Sequence, residues 1–517
     1  MKYSTPATIL VQSLAMMLVS VGSSASAQNS VDKPNIIFFA FDDLNDFINP
    51  MGYSQAKTPN LDRLAKMGVT FTNAHTTATY CAPARTAIMT GRYATTTGAY
   101  ETQVYFHDHP DLVPMQMSFQ NAGYSTHGGG KLFHHREGFI DRRRWDEFFM
   151  RSDRQKQEGW PLDSWGDGTP VPGEFPVSTY NKKRTAEGTM KGKTTFLEIG
   201  AIPDDQEEAM ADTKRINWAC SILKKKHDKP FFLGVGIYAP HFPNFAPQKY
   251  FDLYEESELN MPEYKEGDLE DLAKMVRQRM INRKKLHHDR LEKWGLLKES
   301  LHAYLACVSY GDAMLGRVLD TLEASDYREN TAIVVWSDHG YHQGQKGEWG
   351  KHSLWERTTH VPFIWAGPGI AKNKKVNATV SLLDMFPTFV EMCGLAPDPG
   401  LEGQSLVLTL KNPTSAKDRD VFVPWLHPNS YAVINEKWRY IHFKDGSQEL
   451  YNLQEDPNEW HNLAGSAEHV DVMKKLRASA PKNPAKPGTD KVQLRLVIDG
   501  TDYRWEGKKK ARRNSEN

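Results

Sequence analysis

The chain has 517 residues, long enough for two folding units. Its 64 Lys and Arg balance 64 Asp and Glu, so formal charge at neutral pH is zero, which excludes a broad electrostatic footprint for nucleic acid as a property of the whole chain. A hydrophobic content of 39% with 11% aromatics excludes global disorder.

The chain opens with a leader. Lys2 precedes an apolar run over 7–21, and Ala25-Ser26-Ala27 forms a small-x-small cleavage site. Residues 1–27 therefore read as a secretory signal peptide, with a periplasmic or secreted mature protein. The apolar run is short and broken by Gln12 and Ser13, and no Cys follows the cleavage site. No membrane or lipid anchor is expected.

Three short apolar runs follow, each ending in polar residues: 36–40 before Asp42-Asp43, 230–243 ending in Pro-His-Phe-Pro, and 331–340 ending in Asp338-His339-Gly340. This is the pattern of buried parallel strands whose carboxyl ends carry a site. Helical patterns separate them: 58–68 with Thr58 as N-cap, Pro59 at N1 and Gly68 as stop; 205–226, acidic first and basic last; and 297–324, one long amphipathic helix. The alternation predicts an α/β domain over 28–400 with a mostly parallel sheet. Residues 141–200 lack a period and 256–300 are densely charged, which predicts binding loops or mobile surface. From 401 to 483, short strands within VFVPW, YAVINEKWRYIHF and QELYNL predict a small α+β unit. The polar tail 484–517, ending in GKKKARRNSEN, reads as partly disordered. Cys220, Cys307 and Cys393 read as inert core thiols, with no disulfide framework.

Cys81 has a different setting. Residues 80–91 read Tyr-Cys-Ala-Pro-Ala-Arg-Thr-Ala-Ile-Met-Thr-Gly. The stretch resembles the sulfatase signature Cys-x-Pro-x-Arg followed by an apolar pair and Thr-Gly. Further motifs stand in the order and near the spacing of that family. They are Asp42-Asp43, Gly130-Lys131-Leu132-Phe133-His134, Pro240-His241-Phe242-Pro243, Asp338-His339, Gly347-Glu348-Trp349-Gly350-Lys351, and Glu449-Leu450-Tyr451-Asn452-Leu453. Within the family, the motifs at 130–134, 240–243 and 338–351 resemble iduronate-2-sulfatases and bacterial polysaccharide sulfatases like them. The likeness covers most of 34–465.

A sulfate ester is a stable anion, so its hydrolysis needs positive charge and a strong nucleophile. Asp42, Asp43 and Asp338 offer hard oxygen ligands to a divalent cation such as Ca²⁺. Arg85, Lys131 and Lys351 offer positive charge for sulfate oxygens, and His134 and His241 are acid–base candidates. The other histidines, among them His107, His109, His127, His135, His342, His352 and His360, stay unassigned, with His342 near enough in sequence to touch substrate. The resemblance implies more. It implies an alkaline-phosphatase-like fold with an antiparallel C-terminal sheet. It places Cys81 and His339 in the shell of one Ca²⁺ per chain, and has Cys81 oxidised to Cα-formylglycine by a formylglycine-generating or equivalent maturation enzyme. His241 with Lys351 then protonates the leaving sugar oxygen, and His134 takes a proton from the second hydroxyl to expel sulfate. The substrate class it implies is a sulfated oligo- or polysaccharide, algal (carrageenan, ulvan or fucan) or, alternatively, a glycosaminoglycan. A phosphoryl or phosphonate hydrolase of the same superfamily is the rival; it would use two zinc ions and a Thr or Ser nucleophile. A second rival is a binding protein without catalysis, expected to have lost Cys81 or an Asp ligand.

Overall fold

The computed structural model describes residues 33–134, 145–149, 199–489, 494–499 and 502–507. The leader at 1–27, most of 141–200 and the final basic run lie outside the described residues.

An eight-stranded sheet organises the large domain. Its strands are β1 (Asn35–Asp42), β2 (Gly68–Phe71), β3 (Ser125–Gly130), β4 (Glu147–Phe149), β5 (Phe231–Pro240), β6 (Thr331–Ser337), β7 (Phe363–Ala366) and β8 (Lys374–Val376), in the order β8-β2-β7-β6-β1-β5-β3-β4. Only β7 runs antiparallel to its neighbours β2 and β6; the rest pair in parallel. The three apolar runs read from sequence are β1, β5 and β6, side by side at the centre.

β1 shows why they must be central. Ile37, Phe39 and Phe41 enter one core while Ile36, Phe38 and Ala40 enter the other, so both faces need cover. Each buried Ile or Phe contributes about 1.5–3 kcal/mol. On the first face lie α1 (Pro59–Met67), α3 (Ala211–Leu223) and α5 (Leu297–Glu323); on the second lie α2 (Cys81–Thr90) and α6 (Met385–Cys393).

Thr58 stands at the N-cap of α1, Pro59 in its first turn and Gly68 at its C-cap, as the sequence predicts. The Thr58 side chain makes no capping hydrogen bond. Asp312 of α5 accepts instead from the Asn60 and Leu61 amides at 3.1 and 2.7 Å. A carboxylate distant in sequence satisfies the orphan donors, and Gly68 opens β2 directly.

The region 256–300 is also corrected: it is largely helical. α4 (Lys274–Leu286) and a helix at His288–Lys293 precede α5. Val276 and Met280 of α4 pack on the C-terminal sheet, β9 (Val421–Pro424), β10 (Tyr431–Ile434), β11 (Trp438–His442) and β12 (Gln448–Asn452), which is antiparallel throughout. The sheet's other face takes α7 (Val470–Ala478) through Met473 and Leu476. The segment 401–416 packs with the large domain, because Leu406 and Leu410 belong to its core. The tail is ordered at its start. The amides of Ala485 and Gly488 donate to the carbonyls of Thr95 and Gly98, and a hairpin follows, β13 (Leu494–Asp499) with β14 (Asp502–Gly507).

Candidate active site

The ends of four adjacent strands, β6, β1, β5 and β3, deliver the polar residues. Asp42 closes β1 and Asp43 follows it with φ of 63°. That left-handed turn breaks strand alternation, so two successive carboxylates reach one cluster. β6 ends at Ser337 and is followed by Asp338 and His339; β5 ends at Pro240 and is followed by His241. β3 ends at Gly130, where a Cβ would stand 1.9 Å from the Gly236 carbonyl oxygen. Glycine there lets the Lys131 amide donate to that carbonyl at 2.8 Å, which sets Lys131 at the strand end.

Cys81 is the first residue of α2, so its Sγ lies where helix amides favour negative charge. The rest of the signature builds the helix. Arg85 is buried one turn on, and Gly91, at φ of 66°, ends it. Around Cys81 Sγ stand Lys351 Nζ at 3.2 Å, His339 Nε2 at 3.3 Å, Asp42 Oδ1 at 3.5 Å and Lys131 Nζ at 3.7 Å. Lys131 pairs with Asp42, and Lys351 Nζ donates to Asp43 Oδ1 at 2.7 Å. Arg85 Nε donates to Asp338 Oδ2 at 2.8 Å, and its Nη2 to the Phe41 carbonyl at 3.0 Å. His241 Nε2 lies 3.5 Å from Asp43 Oδ2, with its Nδ1 against the Phe242 carbonyl. His134 lies one layer out, its Nε2 3.4 Å from the Tyr80 hydroxyl. His342 is turned into the fold, with Nε2 2.8 Å from Ser353 Oγ.

Three carboxylates and three cations, each at most 4% exposed, thus meet around one thiol. Burying such charges costs several kcal/mol per ion before pairing. Burial pushes Asp43 up to about 7, with Lys351 only partly opposing it. Burial acts the same way on Asp42 and Asp338, but Lys131 and Arg85 respectively bring them below the usual carboxylate range. Burial works against the Lys351 charge, yet Asp43 and the other acids hold it firmly protonated. His241 is pushed well down by burial and by Lys351 and Lys131, and His339 down to about 4 by burial. Burial and Asp42 push the Cys81 thiol up, so the unmodified side chain carries no thiolate at neutral pH.

Two donor groups could hold a metal ion: Asp42, Cys81, Asp338 and His339, and Asp42, Asp43, Cys81 and His241. The atoms of each set lie within 4.8 Å of one another. Asp43 Oδ2 is buried without a hydrogen-bond donor, as an oxygen kept for a cation would be.

One holding residue escapes sequence reading. Asp212, in the first turn of α3, accepts from the amides of Tyr238 and Ala239 at 2.9 and 3.0 Å and from Arg215 at 2.7 Å. It pins the end of β5 three residues before His241. Its only local signal is a helix-start acid, which also suits a plain dipole partner.

The sulfatase family profile matches residues 34–395, and that of the N-sulphoglucosamine sulphohydrolase C-terminal region matches 344–484. The chain belongs to the sulfatase family. Its class is accordingly that of a sulfuric ester hydrolase. A sulfatase of Formosa agariphila is 36% identical over 92% of both chains. A choline-sulfatase of Rhizobium meliloti is 29% identical over 84% of this chain and 82% of its own. Human iduronate 2-sulfatase is 26% identical over 75% and 74%. A protein solved with its substrate D-glucosamine-2-N,6-O-disulfate superposes with a TM-score of 0.66 at 21% identity, covering 86% of this chain and 96% of its own; that likeness concerns the fold. Among the described residues no helix is long and apolar enough to cross a membrane.

Proposed function

We propose that this sulfatase is an exported enzyme that hydrolyses sulfate esters of a sulfated carbohydrate, with residue 81 as the nucleophile position. The observation that carries the reading is Cys81 Sγ within 3.7 Å of two ammonium groups, a carboxylate and an imidazole, at the N-terminus of a buried helix. A thiol pushed up by burial is a poor nucleophile, which supports conversion of Cys81 to Cα-formylglycine by a maturation enzyme. The hydrated aldehyde would supply the attacking oxygen. Asp42, Asp43 and Asp338, with His339, would hold one Ca²⁺, which when bound supplies positive charge against sulfate oxygens.

The chain's own residues divide the remaining work. Arg85 braces Asp338 and, through Phe41 and Lys131 carbonyls, fixes the strand ends. Lys131 and Lys351 draw the sulfate to residue 81. Lys351 carries a proton beside that residue and is placed to hand it to the leaving sugar oxygen, while His241, held neutral on the opposite side of Asp43, would serve with it once it has taken up a proton. His134, steadied by Tyr80, is placed to accept a proton in the second half of the reaction.

Sulfated carbohydrate rests on the relatives named for iduronate and on the fold neighbour bound to a glucosamine disulfate. The choline-sulfatase relative names the competing class, a small alkyl sulfate. Sulfate release from defined sulfated oligosaccharides against choline sulfate, with and without chelator and added Ca²⁺, tests the reading. Release from oligosaccharides alone, lost with chelator and regained with Ca²⁺, supports it. Release from choline sulfate alone, or dependence on two zinc ions, contradicts it.

A further inference from the structure

α4 carries two arginines one helical turn apart, both within electrostatic reach of His352, the residue after Lys351. Arg283 is fully engaged. Its Nε donates to both Glu348 oxygens at 2.8 and 2.7 Å, and it lies against Gly350, the neighbour of Lys351. Arg279 has no such partner. Among the described residues it makes no hydrogen bond or ion pair, and its guanidinium rests 5.3 Å above the Trp425 ring.

That ring leads back to the nucleophile position. Trp425 Nε1 donates to the His352 carbonyl at 3.0 Å. His352, at φ of 70°, turns the chain straight after Lys351, and its ring packs 4.8 Å from that of Tyr80, the residue before Cys81. Arg279 and Arg283 add to burial and Lys351 in opposing a charge on His352, so the guanidinium lies within electrostatic reach of it. Past Trp425, His427 meets Lys444 at 3.2 Å. The nearest acids do not neutralise Arg279: Glu348 is taken by Arg283, and exposed Glu101 forms no ion pair with it. Burial and Arg283 both disfavour its charge. A half-buried cation with a like charge beside it and no counter-ion is a costly arrangement that an arriving anion would relieve.

We infer that Arg279, seated on Trp425, binds a second anionic group of the substrate, a sulfate or a uronic carboxylate on the sugar next to the ester that is cut. The inference rests on the sulfated-carbohydrate reading and narrows it to multiply anionic glycans. Guanidinium is the side chain suited to bidentate capture of either group, and the buried indole beneath it holds the planar head in place. The Arg279 guanidinium, without a counter-ion, repels a quaternary ammonium, so this rim disfavours choline sulfate.

The test is calorimetric titration of the Cys81→Ala protein, which cannot turn over. The probes are disaccharides carrying one sulfate, two sulfates, or one sulfate and a uronic carboxylate. A second anion is expected to tighten binding about 10- to 100-fold, the range of a charge-assisted contact. Arg279→Gln is expected to abolish that preference, Arg279→Lys to keep part of it, and rising salt to weaken it. Loss for one of the two doubly charged probes names the group that Arg279 reads. In the protein with Cys81 intact, the ratio of kcat/KM for doubly over singly charged disaccharides is expected to collapse through KM rather than kcat. Equal weakening for all probes, or no preference before mutation, overturns the inference. A protein that shows the binding preference but never releases sulfate defeats the hydrolase reading and leaves the Arg279 inference standing.

Discussion

At the ends of β1 and β6, Asp42, Asp43 and Asp338 crowd around one thiol with Lys131, Lys351 and Arg85, whereas at the seam with the C-terminal sheet the ions are matched locally. There Arg439 holds Glu356 and Glu459, and Lys346 holds Asp268. Both regions are largely buried. In the first, three acids and three cations crowd around one side chain; in the second, Arg439 spans two acids and Lys346 holds a third. Crowded charge is costly to folding and useful for handling an anion, while matched charge fixes one domain on another.

The two regions should therefore break in opposite ways. The largest effect is expected for Asp43→Asn: sulfate release falls by about 10³-fold, as when a group that stabilises transition-state charge is lost. Its stability effect has the other sign. The folded carboxyl is raised from 3.8 to about 7, so ionisation costs stability that is fully felt above 7. Metal-free Asp43→Asn protein is thus expected to melt no lower than its parent at pH 8. A clear loss in Tm with activity retained would reverse the comparison.

Arg439→Ala tests the seam. Arg439 Nη1 also donates to the Leu354 carbonyl and Thr359 Oγ1, both at 2.7 Å, so its loss strands Glu356 and Glu459 together. The expected cost is about 3–5 kcal/mol in denaturant unfolding. Protein that remains folded is expected to keep its kcat.

Asp212→Asn sharpens the comparison from outside both clusters. Its remaining oxygen can still accept from both the Tyr238 and Ala239 amides, but the ion pair with Arg215 is lost, which loosens the end of β5. If His241 is the proton donor, the loss, on the order of tenfold, falls on alkyl sugar sulfates and much less on an activated aryl sulfate. His241→Ala is expected to show the same selectivity at larger size. Equal losses on both ester types would make Asp212 a purely structural residue.

The smallest effect concerns pH. Burial raises Glu459 from 4.5 to about 7 despite Arg439. The folded state then holds the proton more tightly than the unfolded chain, so this residue makes stability fall as pH rises from 4.5 through 7. Glu459→Gln keeps an acceptor for the Glu356 amide and is expected to flatten that part of the Tm profile.

The crowded region was the legible one. Asp42-Asp43 and Asp338-His339 stand just after apolar runs, and sequence alone places such residues at strand ends. The signature from Cys81 to Gly91 is one helix with its stop, so local order carried it whole. What escaped depended on distant partners. Asp312 caps α1 from α5, and Asp212 holds β5 from α3. α4 lacks a clear apolar period because only Val276 and Met280 are buried along it, so its charges masked a packed helix that also positions Arg279. The start of the tail looked frayed because its order comes from backbone bonds to Thr95 and Gly98, which polar composition does not announce.

The central claim is that residue 81 acts as the nucleophile position of a sulfatase only after its thiol has been replaced. Mass spectrometry of the peptide spanning residues 80–91, taken from protein of measured sulfate-releasing activity, tests it directly. The account predicts that activity across preparations scales with the fraction carrying an aldehyde or its hydrate at position 81. Full activity from protein in which Cys81 is entirely thiol would contradict it.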